Sequence, residues 1–342
     1  LARWNWRRNC AKHGMIMGNK LTQVSFLFVF ATLLVVIGHA DITLDYKDLW
    51  IHKWVYSFHM PLFFLVSGFL FAYTHPENKM KGMRFFPFIW KKVKRLLLPF
   101  LFINSVIFVI KSRFVSADLM QHPLTFSFSS WVESLLFHPI GFMWFLPALF
   151  MIFVFFSLLR KWICVNIYLQ MGGVILLFVL SRVIPDLSFM QISSAVHYSV
   201  YFGLGILYCI YKGRVDAILS RYRGAMLLGS FVLSAGLIPV KVMAALVGIA
   251  FSLTLSLSVE KHCGDRMIRL SGFTYTVFLL SYFPQMFIRG PIAHALPEVN
   301  QYVLSLVSIV MGFGLPMVIG FLYARVRNKN RLTRFVGLLI GV

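Results

Sequence analysis

Two histidines are the first residues in this chain whose type and position suit proton chemistry. His39 sits in the phrase Val35-Val36-Ile37-Gly38-His39-Ala40-Asp41, and His59 in Phe58-His59-Met60-Pro61-Leu62-Phe63-Phe64. A neutral imidazole titrates near neutral pH and can take a proton from a hydroxyl. A carboxylate two residues on, Asp41, can fix the ring's tautomer and stabilise the imidazolium, which is the base-and-orienter pairing of acyl transfer. Asp45 and Asp48 lie in the same stretch. The spacing His39-x-Asp41 is not a metal signature, so no metal is expected. The plainer alternative is that both histidines are polar anchors at a membrane boundary, although ionisable groups near a bilayer are functional candidates by default.

A second constellation is basic. Lys91-Lys92-Val93-Lys94-Arg95 runs directly into Leu96-Leu97-Leu98-Pro99-Phe100. Its cations suffice to hold a loop on the cytoplasmic side against anionic lipid. Lys92, Lys94 and Arg95 at a helix entry also suit a phosphorylated cytosolic ligand. Two weaker candidates are Trp144, in Phe142-Met143-Trp144-Phe145-Leu146-Pro147, and Ser281, beside Tyr282, Pro284 and Gln285. Trp144 reads equally as an interfacial belt residue, and Pro147 as a kink within a span. Ser281 belongs to a polar interruption of an apolar segment, which lines a cavity or bonds between helices.

The elements that must position these residues are membrane helices. Of the 342 residues, 59% are hydrophobic and only 13% charged, about half the charged share of a soluble domain. A helix crosses a bilayer with about 20 apolar residues. Segments of that kind fall at 21–39, 55–73, 96–112, 142–159, 163–181, 196–211, 224–239, 241–258, 271–289 and 300–324. The expected fold is therefore an all-α polytopic bundle of about ten spans. It divides into a basic N-terminal segment (1–20), a transmembrane domain (21–324) and a basic tail (325–342). No cleavable signal peptide is evident, so the first span is expected to stay in place.

Charge sets the orientation. Of the 33 Lys and Arg, 26 lie in the N-terminal segment, in alternate loops and in the tail, while the loops of the other parity hold 7. The 11 acidic residues lean the other way, with 7 on the poorly basic side. The positive-inside rule then places both termini in the cytoplasm. It also accounts for the net charge of +22, which in a soluble protein would suggest nucleic acid. No basic stretch here carries a nucleic-acid-binding signature, so no such partner is expected. Cys10, Cys164, Cys209 and Cys263 all fall at or near the inner side, and no disulfide is expected.

Together these segments resemble the acyltransferase family 3 membrane enzymes, in particular the branch of sugar O-acetyltransferases. The resemblance rests on His39 ending the first span, on Phe58-His59-Met60-Pro61-Leu62-Phe63-Phe64 with Ser67-Gly68, and on the basic run before Leu97-Leu98-Pro99. It continues through Trp144-Phe145-Leu146-Pro147, Gly205, and Thr274-Tyr275 leading to Leu279-Leu280-Ser281. It implies transfer of an acyl group, usually acetyl from acetyl-CoA, to a hydroxyl of a glycan or lipid-linked sugar. Acetyl-CoA would be a co-substrate, with no permanently bound cofactor, and the setting would be the bacterial cytoplasmic membrane. By the same resemblance His39 matches the catalytic histidine. Two positions depart from the pattern: Phe28 stands where many members carry Arg, and Ser281 where many carry His.

In this reading His39, with Asp41 and His59, forms the catalytic group, and Lys92, Lys94, Arg95, Trp144 and Ser281 bind substrates. A geometric difficulty follows. From Lys20 to His39 a helix runs about 28 Å at 1.5 Å per residue, so the base lies far from the compartment that makes the donor. A cavity must admit the donor deep into the bundle. The rival reading is a transporter or flippase of glycan intermediates, which would usually show internal repeats; none stands out in the sequence.

Overall fold

Backbone N–H and C=O groups in hydrocarbon have no water to bond, so an apolar chain there must pair them within itself. The computed structural model describes residues 19–40, 47–75, 80, 82–114, 124–160 and 167–342, and every regular element among them is helical. In order these are α1 (Asn19–Gly38), α2 (Trp50–Thr74), α3 (Phe85–Lys92), α4 (Leu98–Phe114), α5 (Phe128–Leu136), α6 (Phe145–Leu158), α7 (Ile167–Val183) and α8 (Ile192–Arg221). Then follow α9 (Arg223–Gly236), α10 (Lys241–Ser271), α11 (Thr274–Leu280), α12 (Tyr282–Phe287), α13 (Ala293–Ala295), α14 (Gln301–Ala324) and α15 (Arg331–Ile340).

Over its described residues each apolar segment read from the sequence overlaps a helix, the one at 271–289 being divided among α11, α12 and the turns beside them. Among the described residues, six helical stretches are long and apolar enough to cross a membrane: Trp50–Thr74, Phe85–Arg113, Gly141–Leu158, Phe189–Arg221, Lys241–Glu260 and Gln301–Ala324. Thr22–Gly38 and Tyr168–Val183 are shorter apolar helices. The tail contains a helix, α15, started by an Asn330–Thr333 capping box and tied to α14 by the Tyr323 hydroxyl donating to the Thr333 carbonyl at 3.0 Å.

The centre of the bundle is α2, packed between α1, α8 and α10. Its middle stretch, Phe58 to Phe69, is buried throughout. The α2–α8 approach is so close that only glycine fits. A Cβ on Gly68 would stand 2.0 Å from the Phe202 carbonyl oxygen, and one on Gly205 would stand 1.9 Å from that of Leu65. Such contact lets two apolar helices gain dispersion attraction that lipid alone would not favour.

Helix α1 is held near its N-terminal end by a polar network. Gln23 donates to the Tyr208 hydroxyl at 2.9 Å, Tyr208 donates to Asp216 at 2.8 Å, and Lys212 bonds both Gln23 and Asp216. The buried amide is thereby satisfied, as a polar group in an apolar setting must be.

Two breaks in the α-geometry fall where prolines remove donors. Pro99 has no N–H to offer the Arg95 carbonyl one turn back, and a π turn, Val93–Leu97, joins α3 to α4 there. The freed Arg95 carbonyl accepts a hydrogen bond from the Tyr275 hydroxyl of α11. A second π turn, Ile288–Ile292, contains Pro291 and joins α12 to α13. Pro147 behaves differently from the kink expected of it. It falls in the first turn of α6, where a missing N–H costs nothing.

Candidate functional site

The last turn of α1 carries His39, and three distant elements fix it. The His39 N–H still donates to the Val35 carbonyl at 3.1 Å, so the residue extends the helical pattern by one position. From the α12–α13 segment, Gln285 Nε2 donates to the Val36 carbonyl at 2.8 Å, and Arg289 Nη2 donates to the His39 carbonyl at 3.2 Å. Both carbonyls belong to the helix end that lacks intrahelical partners. The Arg289 charge also complements the negative end of the helix dipole.

The imidazole sits among aromatic rings. Its Nδ1 is 3.3 Å from the Tyr56 hydroxyl, and its ring centroid is 4.9 Å from that of Phe142. Tyr56 in turn lies 4.9 Å from the His59 ring and 4.2 Å from the His52 ring. His59 is buried, and its Nδ1 donates to the Val55 carbonyl at 2.9 Å. A carbonyl can only accept, so Nδ1 carries a proton.

Phe142 reaches His39 because of the turn that carries it. The turn Gly141–Trp144 is a 3₁₀ helix that begins with Gly141 at φ +61°, a left-handed conformation that favours glycine. A Cβ there would also strike the Tyr282 ring at 2.7 Å. Just before it, the Ile140 N–H donates to Asn104 Oδ1 at 2.9 Å, while Asn104 Nδ2 donates to the Ser134 carbonyl at 3.1 Å. One buried asparagine of α4 thus fastens both α5 and the turn.

The residues singled out from the sequence fall in three places. His39 and His59 come together around Tyr56. Asp41 and Asp45 lie outside the described residues, and Asp48 makes a surface ion pair with Lys53 at 3.0 Å. Among the described residues no three His, Cys, Asp or Glu side chains form a group able to hold a metal.

The basic run divides. Lys92 turns inward, with Nζ 3.6 Å from the Phe153 ring centroid of α6. Lys94 and Arg95 are exposed, Lys94 lying over the Trp90 ring at 5.4 Å. Trp144 is half-buried, 5.5 Å from the Tyr198 ring of α8.

Ser281 is fully buried between α11 and α12, one helical turn before Gln285. Among the described residues its Oγ has no hydrogen-bond partner, and neither does Oε1 of Gln285. Leaving such an atom unpaired costs about 1–3 kcal/mol.

Sequence reasoning missed the role of Tyr56, Asn104, Arg289 and the Tyr275–Arg95 bond; Gln285 was named only as part of the polar interruption, and its bond to the Val36 carbonyl does join two helices. For Arg289 a signal existed: it is an arginine in an apolar segment two residues before a proline, and ionisable residues there are functional candidates.

In chemical terms the arrangement presents an imidazole whose backbone is clamped and whose Nδ1 lies within hydrogen-bond reach of a phenol. The family model of the acyltransferase 3 domain matches residues 27–337 of the chain. No curated protein and no solved structure matches it.

Proposed function

Because the chain belongs to the acyltransferase 3 family, whose domain covers residues 27–337, we propose that it is a membrane O-acetyltransferase using His39 as its general base. The donor is acetyl-CoA and the acceptor a hydroxyl of a glycan or lipid-linked sugar. The observation that carries this reading is the clamped imidazole, with Nδ1 3.3 Å from the Tyr56 hydroxyl and the carbonyl held by Arg289.

With its proton on Nδ1, the His39 ring donates to the Tyr56 oxygen and leaves Nε2 free. Nε2 removes the proton of the acceptor hydroxyl as its oxygen attacks the acetyl carbonyl. A C–O bond forms, the C–S bond breaks, and the proton passes to the departing thiolate. An ester and CoA result. General base catalysis of this kind contributes about 10²–10⁴-fold.

Ten spans with both termini in the cytoplasm complete the reading, in the cytoplasmic membrane of a bacterium. Lys92, Lys94 and Arg95 then meet the CoA phosphates on the side where the donor is made. With Tyr56 holding Nδ1, Asp41 remains proposed as a carboxylate whose charge stabilises the imidazolium, and Trp144 as a contact for the acceptor.

The test uses sealed inside-out vesicles supplied with external acetyl-CoA, followed by analysis of surface glycans for O-acetyl groups. Wild type should transfer acetyl, and His39→Ala should lose about 10²-fold or more. Full activity in His39→Ala would refute the assigned base. Failure of the wild type to bind acetyl-CoA would refute the donor.

A further inference from the structure

Four buried side-chain polar atoms lack a hydrogen-bond partner among the described residues, and three sit on one short stretch: Thr276 Oγ1 in α11, Ser281 Oγ, and Gln285 Oε1 in α12. Orphaned polar atoms in a folded interior are rare and call for an explanation. Three on one stretch, in surroundings this apolar, point to a ligand that supplies the missing partners.

The stretch has direction. Gln285 lies against α1, bonding the Val36 carbonyl three residues before His39. Thr276 lies nine residues earlier, about 14 Å along the axis at 1.5 Å per residue. On the proposed topology that is the cytoplasmic direction. The three residues therefore succeed one another, as a ladder along the stretch, toward the base.

We propose that Thr276, Ser281 and Gln285 form the cradle for the amide-bearing arm of the acyl-CoA donor. This rests on the acyl-transfer reading above and deepens it. The arm is a linear chain with two secondary amides, so it carries N–H donors and carbonyl acceptors in alternation. Gln285 Oε1 can only accept and takes an amide N–H. The Ser281 and Thr276 hydroxyls can donate and take the carbonyls. A hydrocarbon chain could satisfy none of them.

Helix α14 closes over the ladder. Its Gly312 lies against Gln285 and its Gly320 against Thr276. The other face of α14 is apolar and exposed, including Tyr302, Val303, Leu306 and Val310. This peripheral helix is the wall that yields to admit the arm. The cradle answers the distance problem, since the thioester is delivered along the ladder rather than from the phosphate site alone.

The experiment uses the full chain in lipid nanodiscs and two probes, acetyl-CoA and 3′-phospho-ADP, the nucleotide part that lacks the arm. The double variant Ser281→Ala/Thr276→Val removes two hydroxyls that hold no partner in the free protein, so its thermal midpoint should not fall. Acetyl-CoA should bind it at least about tenfold more weakly, while 3′-phospho-ADP binds as to wild type. Unchanged acetyl-CoA affinity would overturn the cradle, as would equal weakening of both probes. A wild type that binds no acetyl-CoA would instead sink the acyl-transfer reading itself.

Discussion

Replacing Gly205 with alanine tests whether helix contact positions the site. The added Cβ would stand 1.9 Å from the Leu65 carbonyl oxygen, against an ordinary contact of 3.4 Å or more. The obstruction is backbone and cannot swing away, so α2 and α8 must part by about 1.5 Å locally. Overpacking of this kind costs about 1–3 kcal/mol.

The same displacement reaches function, because α2 carries Tyr56 and His59 while α1 carries His39. A shift of about 1 Å at a reacting geometry can cost about 10²-fold in rate. Thermal unfolding in nanodiscs and the rate of acetyl transfer measure the two effects. Gly229→Ala is the control: nothing lies within 4 Å of its Cβ position, and alanine is the better helix former. Gly205→Ala should lower both midpoint and rate, and Gly229→Ala neither. A Gly205→Ala protein with the wild-type midpoint and rate would refute the argument that this contact sets the geometry.

Two further outcomes follow from single bonds. Tyr275→Phe leaves the Arg95 carbonyl without the hydroxyl that compensates for Pro99; stability should fall by about 1–3 kcal/mol, and weaker binding of acetyl-CoA should accompany it if the π turn presents the phosphate-binding cations. Unchanged unfolding in Tyr275→Phe would refute this account of the turn. Arg289→Gln removes a charged donor from the His39 carbonyl; the transfer rate should fall about tenfold or more with acetyl-CoA affinity unchanged, and an unaltered rate would refute the clamp.

Much of this protein was legible in its residues alone. Apolar stretches of helical length must fold as helices in hydrocarbon, so the segments from 21–39 to 300–324 marked the helices without any contact being known. His39 at the end of the first was singled out by position, and the family was recognised by phrases such as the one around His59. These are local facts, and periodicity, solvent and spacing decide them.

What the tertiary structure alone decided is which groups meet. Gln285 and Arg289 reach the last turn of α1 from about 250 residues away in sequence. Tyr275 finds the carbonyl that Pro99 leaves free across 180 residues. Lys92 turns inward while Lys94 and Arg95 face out, although the three share one run. Hydropathy records how much a residue prefers lipid to water and nothing about its neighbour. Pairing depends on how closely backbones approach and which carbonyls their breaks leave open, and helix packing alone determines that.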